Sequence, residues 1–228
     1  MGLIHSIEAF AKGGLFGLQA AQRDWSPFVA HFTCYSAMSP VRSAVGKGKL
    51  PLEIATLLRD ADVQSLDVVR QIAASGELRA SSPSSKDNVP PCVCFSECTL
   101  PGLLSLCERY GRFGFVFEKT KLFGAGARPC IYVGREEYHV VARRGRTATD
   151  GTPERSLFGL SNVYSPPGAG LVQDFTHDRE WRYFDSLKLA TVEPLMYLAP
   201  SDAIGELRLI FGSDKISIPI DLMFYWGA

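Results

Sequence analysis

The sequence predicts an α+β fold, in which a mixed, mostly antiparallel sheet is combined with short helices. Short runs of β-branched and aromatic residues are bounded by turn formers, which is typical of strands. Segments with apolar residues at helical spacing interrupt these runs without the regular alternation of a doubly wound sheet. With 228 residues, 46% of them hydrophobic, the chain can bury a substantial core. We therefore expect one domain over residues 1–228, with a polar excursion around residues 136–170.

The first third of the chain predicts a strand, a long helical region and a loop. Residues 28–36, FVAHFTCYS, indicate a short strand that runs into a turn. Apolar residues recur at helical spacing over residues 52–72, as one helix or as two helices broken near Asp62. Gly76 is placed to end this region in the left-handed conformation. The segment 81–91, SSPSSKDNVPP, consists almost entirely of turn formers and predicts a loop.

The middle of the chain predicts three strands around one helix. A helix is indicated over residues 99–111, with Thr99 as its N-cap and Gly111 as its stop. The strands are CVCFS at 92–96, FGFVFE at 113–118 and RPCIYVG at 128–134. The turn between the last two has room for a short helix.

The last part of the chain predicts an irregular excursion followed by strands. Residues 136–167 are polar, contain RRGR and many turn formers, and indicate little regular structure. Late strands are predicted at EWRYF 180–184, MYLAP 196–200, ELRLIFG 206–212 and KISIPI 215–220, with a short helix from about Ser201.

The charge balance excludes a protein that attracts nucleic acid through its overall field. Lysine plus arginine and aspartate plus glutamate number 24 each, so any site for a polyanion must be a local patch. No run of eighteen apolar residues occurs, and Glu8 and Lys12 interrupt the N-terminal stretch, which argues against a membrane span and a signal peptide. We expect a cytoplasmic protein with no membrane contact. The opening MGLIHS matches the N-myristoylation pattern, but so short a pattern often matches by chance.

The cysteines do not predict a metal site. Four of the six cysteines lie between residues 92 and 107, namely Cys92, Cys94, Cys98 and Cys107. Their C-x-C-x3-C spacing matches no zinc knuckle or ribbon, and free cysteine is most often a small buried hydrophobe. We expect reduced thiols and no bound metal.

The strand EWRYF raises a choice between catalysis and simple ion pairing. Alternation along a strand sends Glu180 and Arg182 to one face and Trp181 and Tyr183 to the other. Such a strand is commonly half-buried with a surface ion pair, and Glu180 would then have no chemical role. The alternative is a catalytic carboxylate whose charge state is fixed by Arg182.

His31 and Thr33 are the second candidate pair. They lie two residues apart on a strand end and therefore on one face, where an imidazole and a hydroxyl could donate together to a ribose or a phosphate. A core histidine beside a β-forming threonine is the alternative. The sequence contains no nucleophile elbow and no phosphate-binding loop, so neither class of enzyme is predicted.

The order of short motifs resembles AbiGi-type abortive-infection proteins of bacterial phage resistance. The shared pattern is HFT at 31–33, CFS at 94–96, YGRFG at 110–114 with Lys119 after it, PCIY at 129–132 and EWR at 180–182. The pattern spans about 150 residues and rests on some fifteen positions. The resemblance implies a role in defence against phage.

More distantly, the same pattern resembles the ADP-ribosyltransferase fold, including DarT-like enzymes that modify nucleic acid. This resemblance implies that His31 and Thr33 hold the adenine-side ribose of NAD. It places Phe95 with Ser96, or Tyr132, beside the nicotinamide and Glu180 at catalysis. On physical grounds, Arg182 could then pair with the diphosphate. Cys130, in an apolar position of its strand, departs from the pattern, and no clean R-S-E or H-Y-E triad is present.

The expected function is an NAD-dependent ADP-ribosyltransferase-like toxin or effector in anti-phage defence, with NAD as its substrate. A carboxylate such as Glu180 would stabilise the oxocarbenium-like centre that forms when the glycosidic bond of NAD breaks. The acceptor would be nucleic acid or protein, and ARRGR at 142–146 is a candidate phosphate-contacting patch. One alternative is a non-catalytic defence partner, an antitoxin or sensor, that binds a protein or nucleic acid. Another is a metal-independent nuclease that uses His31 and Glu180.

Overall fold

The computed structural model describes residues 26–33, 35–82, 88–97, 103, 106, 107, 109–164 and 179–221. This part of the chain is α+β, with a mostly antiparallel mixed sheet and six helices with assigned bounds. The predicted fold class is therefore confirmed at this level. Within the described residues, no helix combines the length and the apolar composition that crossing a membrane requires.

The described residues contain eleven strands, numbered here in chain order. They are β1 Phe28–Phe32, β2 Glu77–Leu78, β3 Cys92–Glu97, β4 Gly114–Glu118, β5 Arg128–Pro129, β6 Ile131–Val133, β7 Ser161–Val163, β8 Glu180–Phe184, β9 Leu187–Lys188, β10 Met196–Ala199 and β11 Ile216–Pro219.

The helices are interspersed among the strands. They are α1 Ser39–Gly46, α2 Pro51–Ser75, α3 Lys119–Ala125, α4 Arg135–Gly145, α5 Pro153–Leu160 and α6 Ile204–Phe211. Residues 103, 106, 107, 109 and 110 are also helical, in agreement with the predicted helix over 99–111, whose proposed cap Thr99 lies outside the described residues. Gly76 and Gly111 follow helices with φ of 66° and 106°, so both predicted glycine stops are confirmed.

Seven strands form the main sheet in the order β11-β10-β4-β1-β3-β8-β5. All neighbours in it are antiparallel except β10 and β11, which run parallel. Two small sheets pair β2 with β9 and, in parallel, β6 with β7. EWRYF thus lies inside the sheet between β3 and β5, where its backbone is paired on both sides.

The two faces of the main sheet bury different layers. The core face carries Phe95, Phe115 and Phe117, and the C-terminal half of α2 and the helix α6 pack against it. The opposite face carries a smaller cluster built from Ala30, Val116, Leu198, Leu103 and Cys107. Helices α4 and α5 form a hairpin that packs around Phe158, and a methyl group on Gly159 would touch the ring of Phe184 on β8. The α4–α5 hairpin therefore covers the opposite face near β8.

Two predictions of local structure are wrong. ELRLIFG at 206–212 is not a strand but belongs to α6, because Ile204, Leu207 and Phe211 pack on the core at helical spacing while Leu209 stays 88% exposed. Polar and apolar residues alternate around Leu207 and Leu209, and this pattern also fits a strand. The described part of the excursion, up to residue 164, is not irregular either. It contains α4, α5 and β7, and apolar side chains of α4 and α5 bury one another.

The region 52–72 is one continuous helix, which confirms the first of the two predicted alternatives. Asp62, where a break was considered, pairs its carboxylate with the guanidinium of Arg112. One strand boundary differs from the prediction. The single strand predicted over 128–134 is two strands interrupted at Cys130, because β5 pairs with β8 while β6 pairs with β7.

Candidate functional site

Strand register places Glu180 on the opposite face of the sheet. Ala30 on β1 pairs with Ser96 on β3, and Ser96 pairs with Glu180 on β8. Residues that pair directly across neighbouring strands point to the same face. These three side chains therefore form one row, and Arg182, two residues further along β8, shares its face.

The carboxylate of Glu180 is held by two side chains. Arg182 donates from Nε to Oε1 at 2.9 Å and from Nη2 to Oε2 at 3.1 Å, in a bidentate arrangement. Asn162 on β7 donates from Nδ2 to Oε2 at 3.1 Å. The side chain of Glu180 is 16% exposed and that of Arg182 only 5%. The predicted alternation along EWRYF is thus observed, but the ion pair is buried rather than on the surface.

Arg182 also joins the sheet to the α4–α5 hairpin. Its Nη1 donates to the backbone carbonyl of Gly159, at the end of α5. Burial by itself would lower the pKa of the Arg182 guanidinium, but the adjacent Glu180 carboxylate outweighs this effect and raises that pKa. The guanidinium therefore stays charged inside the protein, and its charge depends on Glu180 for compensation.

Three more polar groups surround Glu180. Its backbone N–H donates to the hydroxyl of Tyr132 at 3.1 Å, and its carbonyl accepts from the N–H of Cys130 at 2.7 Å. Ser96, opposite Glu180 in the register, is 8% exposed. Of the predicted site residues, Glu180, Arg182, Ser96 and Tyr132 are therefore brought together in this Glu180 cluster.

His31, Thr33 and Phe95 do not join this cluster. His31 follows Ala30 on β1 and points to the core face, where its ring lies 5.7 Å from that of Phe95. Phe95 is 1% exposed and packs edge-on against Phe117. Thr33 is 2% exposed and donates its hydroxyl to the carbonyl of Phe113. The expectation that these residues converge with Glu180 on one nucleotide is corrected, because alternation along β1 and β3 separates them across the sheet.

The imidazole of His31 is part of the packing of the sheet. Its Nδ1 lies 2.8 Å from the carbonyl of Cys94, so Nδ1 carries the proton and donates. Burial lowers the pKa of His31 below its ordinary 6.5, and the hydrogen bond to Cys94 offsets only part of this effect. The folded protein therefore holds His31 neutral.

This neutral histidine predicts that the protein loses stability in mild acid. Because the pKa of His31 is lower in the folded protein than in the unfolded chain, the unfolded chain binds a proton first as the pH falls below about 6.5. The free energy of unfolding therefore falls as the pH is lowered from that point. Urea titrations between pH 7.5 and 5.5 should show this slope, and His31→Gln should make it shallower. An identical slope in both proteins would assign the effect to other groups.

Three thiols lie near the Glu180 cluster. The Sγ atoms of Cys92 and Cys94 are 3.7 Å apart on β3, and Cys130 adjoins Glu180. The hydrogen bond between Cys92 and Cys94 lowers the pKa of the first and raises that of the second, while burial raises the pKa of Cys130. Among the described residues, no group of three or more His, Cys, Asp or Glu is arranged to hold a metal ion. Cys98 lies outside them.

Sequence reasoning missed a second buried carboxylate, Glu97, at the end of β3. Its Oε1 accepts from Nζ of Lys119 at 2.8 Å and its Oε2 from Nε1 of Trp181 at 3.1 Å. The side chains of Glu97 and Lys119 are 10% and 12% exposed. Alternation places Glu97 on the core face, opposite to Glu180. In the sequence, Glu97 stands out only as a charged residue at the end of an apolar strand. Such a residue is usually expected at the surface.

Comparison of the chain with models of known protein families, with curated proteins and with solved structures found no match.

Proposed function

We propose that the protein is a non-catalytic component of bacterial anti-phage defence, an antitoxin or sensor that acts by binding a partner. The motif order shared with AbiGi-type proteins supports the defence role. One observation favours binding over catalysis: the two residues expected to act on one substrate, His31 and Glu180, point to opposite faces of the sheet.

The environment of Glu180 supports the same conclusion. A carboxylate that stabilises an oxocarbenium-like centre must turn its charge toward the substrate. Here Arg182 donates hydrogen bonds to both carboxylate oxygens of Glu180 and is itself almost fully buried. Redirecting Glu180 would leave a buried guanidinium without compensation, at a cost of several kcal/mol. In this geometry the motif EWR joins the sheet to the α4–α5 hairpin.

A transferase that uses NAD is the second candidate, because Ser96, Tyr132 and Arg182 do gather around a partly exposed Glu180. Such an enzyme would bind NAD on the opposite face alone, without His31, Thr33 or Phe95. The nuclease hypothesis, which pairs His31 with Glu180 on one substrate, has no comparable support.

Incubating the purified protein with NAD separates the two candidates. With labelled NAD and RNA, DNA or protein as acceptor, we expect neither nicotinamide release nor label transfer above a buffer control. Release that disappears in a Glu180→Gln variant still folded at the assay temperature would overturn the proposal in favour of the transferase. Thermal melting supplies the folding control, which matters because Glu180 is also expected to stabilise the fold.

A further inference from the structure

Helix α4 presents a basic face to solvent. Arg135, His139 and Arg143 follow one another at intervals of four residues and are all exposed, so they line one side of the helix. Arg144 is also exposed and lies beside this row, one position further round the helix. The buried side of the helix consists of Ala142 and Gly145, with Tyr138 and Val141 partly buried beside them. The basic face, defined as Arg135, His139, Arg143 and Arg144, therefore points away from the protein.

The arginines of the basic face are not neutralised by neighbouring acids. Within the described residues, Arg135, Arg143 and Arg144 have no carboxylate within 4.0 Å, whereas nearby Arg155 pairs with Asp150. The carboxylate of Glu137 turns back toward the first residue before the helix, Gly134. Glu136 and Glu137 are both exposed, but they lie in the first turn of α4, whereas Arg143 and Arg144 lie in its last turn.

An exposed aromatic residue, Tyr164, is hydrogen-bonded through its backbone beside the start of the same helix. Tyr164 follows β7 and donates its N–H to the carbonyl of Val133, which directly precedes Gly134 and the first turn of α4. Tyr164 is 44% exposed. Proteins bind single-stranded nucleic acid with cations placed along the phosphate backbone and with exposed aromatic rings on which bases stack.

We propose that the basic face of α4, together with Tyr164, binds single-stranded nucleic acid through its phosphate backbone. This inference rests on the proposed function and names the partner class that the defence component would recognise. The sequence as a whole is electrically neutral, so the attraction must come from this local patch. The same helix packs on Phe158 beside Gly159, whose carbonyl accepts from Arg182. The Glu180 cluster thus anchors the hairpin that presents the basic face.

The inference is tested by fluorescence anisotropy with a labelled single-stranded RNA, a DNA of the same sequence and the corresponding duplex. We expect the single strands to bind more tightly than the duplex, with affinity falling steeply as salt rises. Arg143→Gln with Arg144→Gln should weaken binding at least tenfold and reduce the slope of log K against log salt by about 0.7 per lost contact. Tyr164→Ala should weaken it on the order of tenfold without changing that slope.

A matched control is Lys47→Gln with Arg59→Gln, which removes two exposed cations around α1 and α2. This control should bind as the unchanged protein does. Equal losses in both double variants, no loss in Arg143→Gln with Arg144→Gln, or tighter binding of the duplex would overturn the inference. Nicotinamide release is measured on the same preparation, so that the two proposals are tested separately. If the protein neither binds the single strands nor releases nicotinamide, only the proposed nucleic-acid site on the basic face is refuted. If it releases nicotinamide, the proposed non-catalytic role is refuted.

Discussion

Glu180→Gln is expected to lower the free energy of unfolding by about 3 kcal/mol, because it leaves the guanidinium of Arg182 buried and uncompensated. An exposed pair would cost about 1 kcal/mol or less. In a chain of this size the expected loss corresponds to a fall in Tm of roughly 6–12 °C. Urea and thermal unfolding of the variant measure it directly.

A double-mutant cycle attributes this loss to the pair itself. Arg182→Gln should destabilise the protein comparably, since it leaves the carboxylate of Glu180 facing Asn162 alone. The double variant Glu180→Gln with Arg182→Gln should lose less than the sum of the two single losses, because no unpaired charge remains inside. Strictly additive losses, or a Glu180→Gln variant as stable as the unchanged protein, would show that the pair is not buried as described.

Gly145→Ala is expected to separate the α4–α5 hairpin and to cost about 3 kcal/mol. A methyl group there would lie 2.8 Å from Cγ of Phe158 and 2.9 Å from the carbonyl oxygen of Glu154, and closer still to Cβ of Phe158. Backbone atoms and a Cβ cannot move without shifting the helix, so the contact is relieved only by displacing α5. Unfolding titrations measure the loss, and near-ultraviolet circular dichroism reports whether the aromatic packing changes.

Gly205→Ala is the matched control in another helix. A methyl group at Gly205 in α6 meets no heavy atom within 4 Å, so the substitution should be neutral or should stabilise the protein by up to about 1 kcal/mol through helix propensity. Equal destabilisation by both substitutions would mean that the close approach of α4 and α5 is not the cause.

Local patterns in the sequence predicted the elements whose structure depends on near neighbours. Alternation correctly assigned the two faces of EWRYF, and Gly76 and Gly111 correctly marked helix ends, because left-handed backbone favours glycine. Where a pattern fitted two structures the prediction failed. ELRLIFG alternates over a few residues, yet Leu207 and Phe211 need helical spacing to reach the core.

The membership of the candidate site was decided by the tertiary structure. The resemblance of the motif pattern to the ADP-ribosyltransferase fold grouped His31, Ser96 and Glu180, but the faces of these residues depend on how β1, β3 and β8 are paired. These strands are far apart in the chain, and a shift of one residue in register would reverse every side chain. Burial of Arg182 is likewise set by the α4–α5 hairpin packing over β8, which no local pattern in EWRYF specifies. The sequence alone determined which side chains of a strand share a face. Long-range pairing and packing determined which faces meet, because register and burial arise only when distant segments of the chain come together.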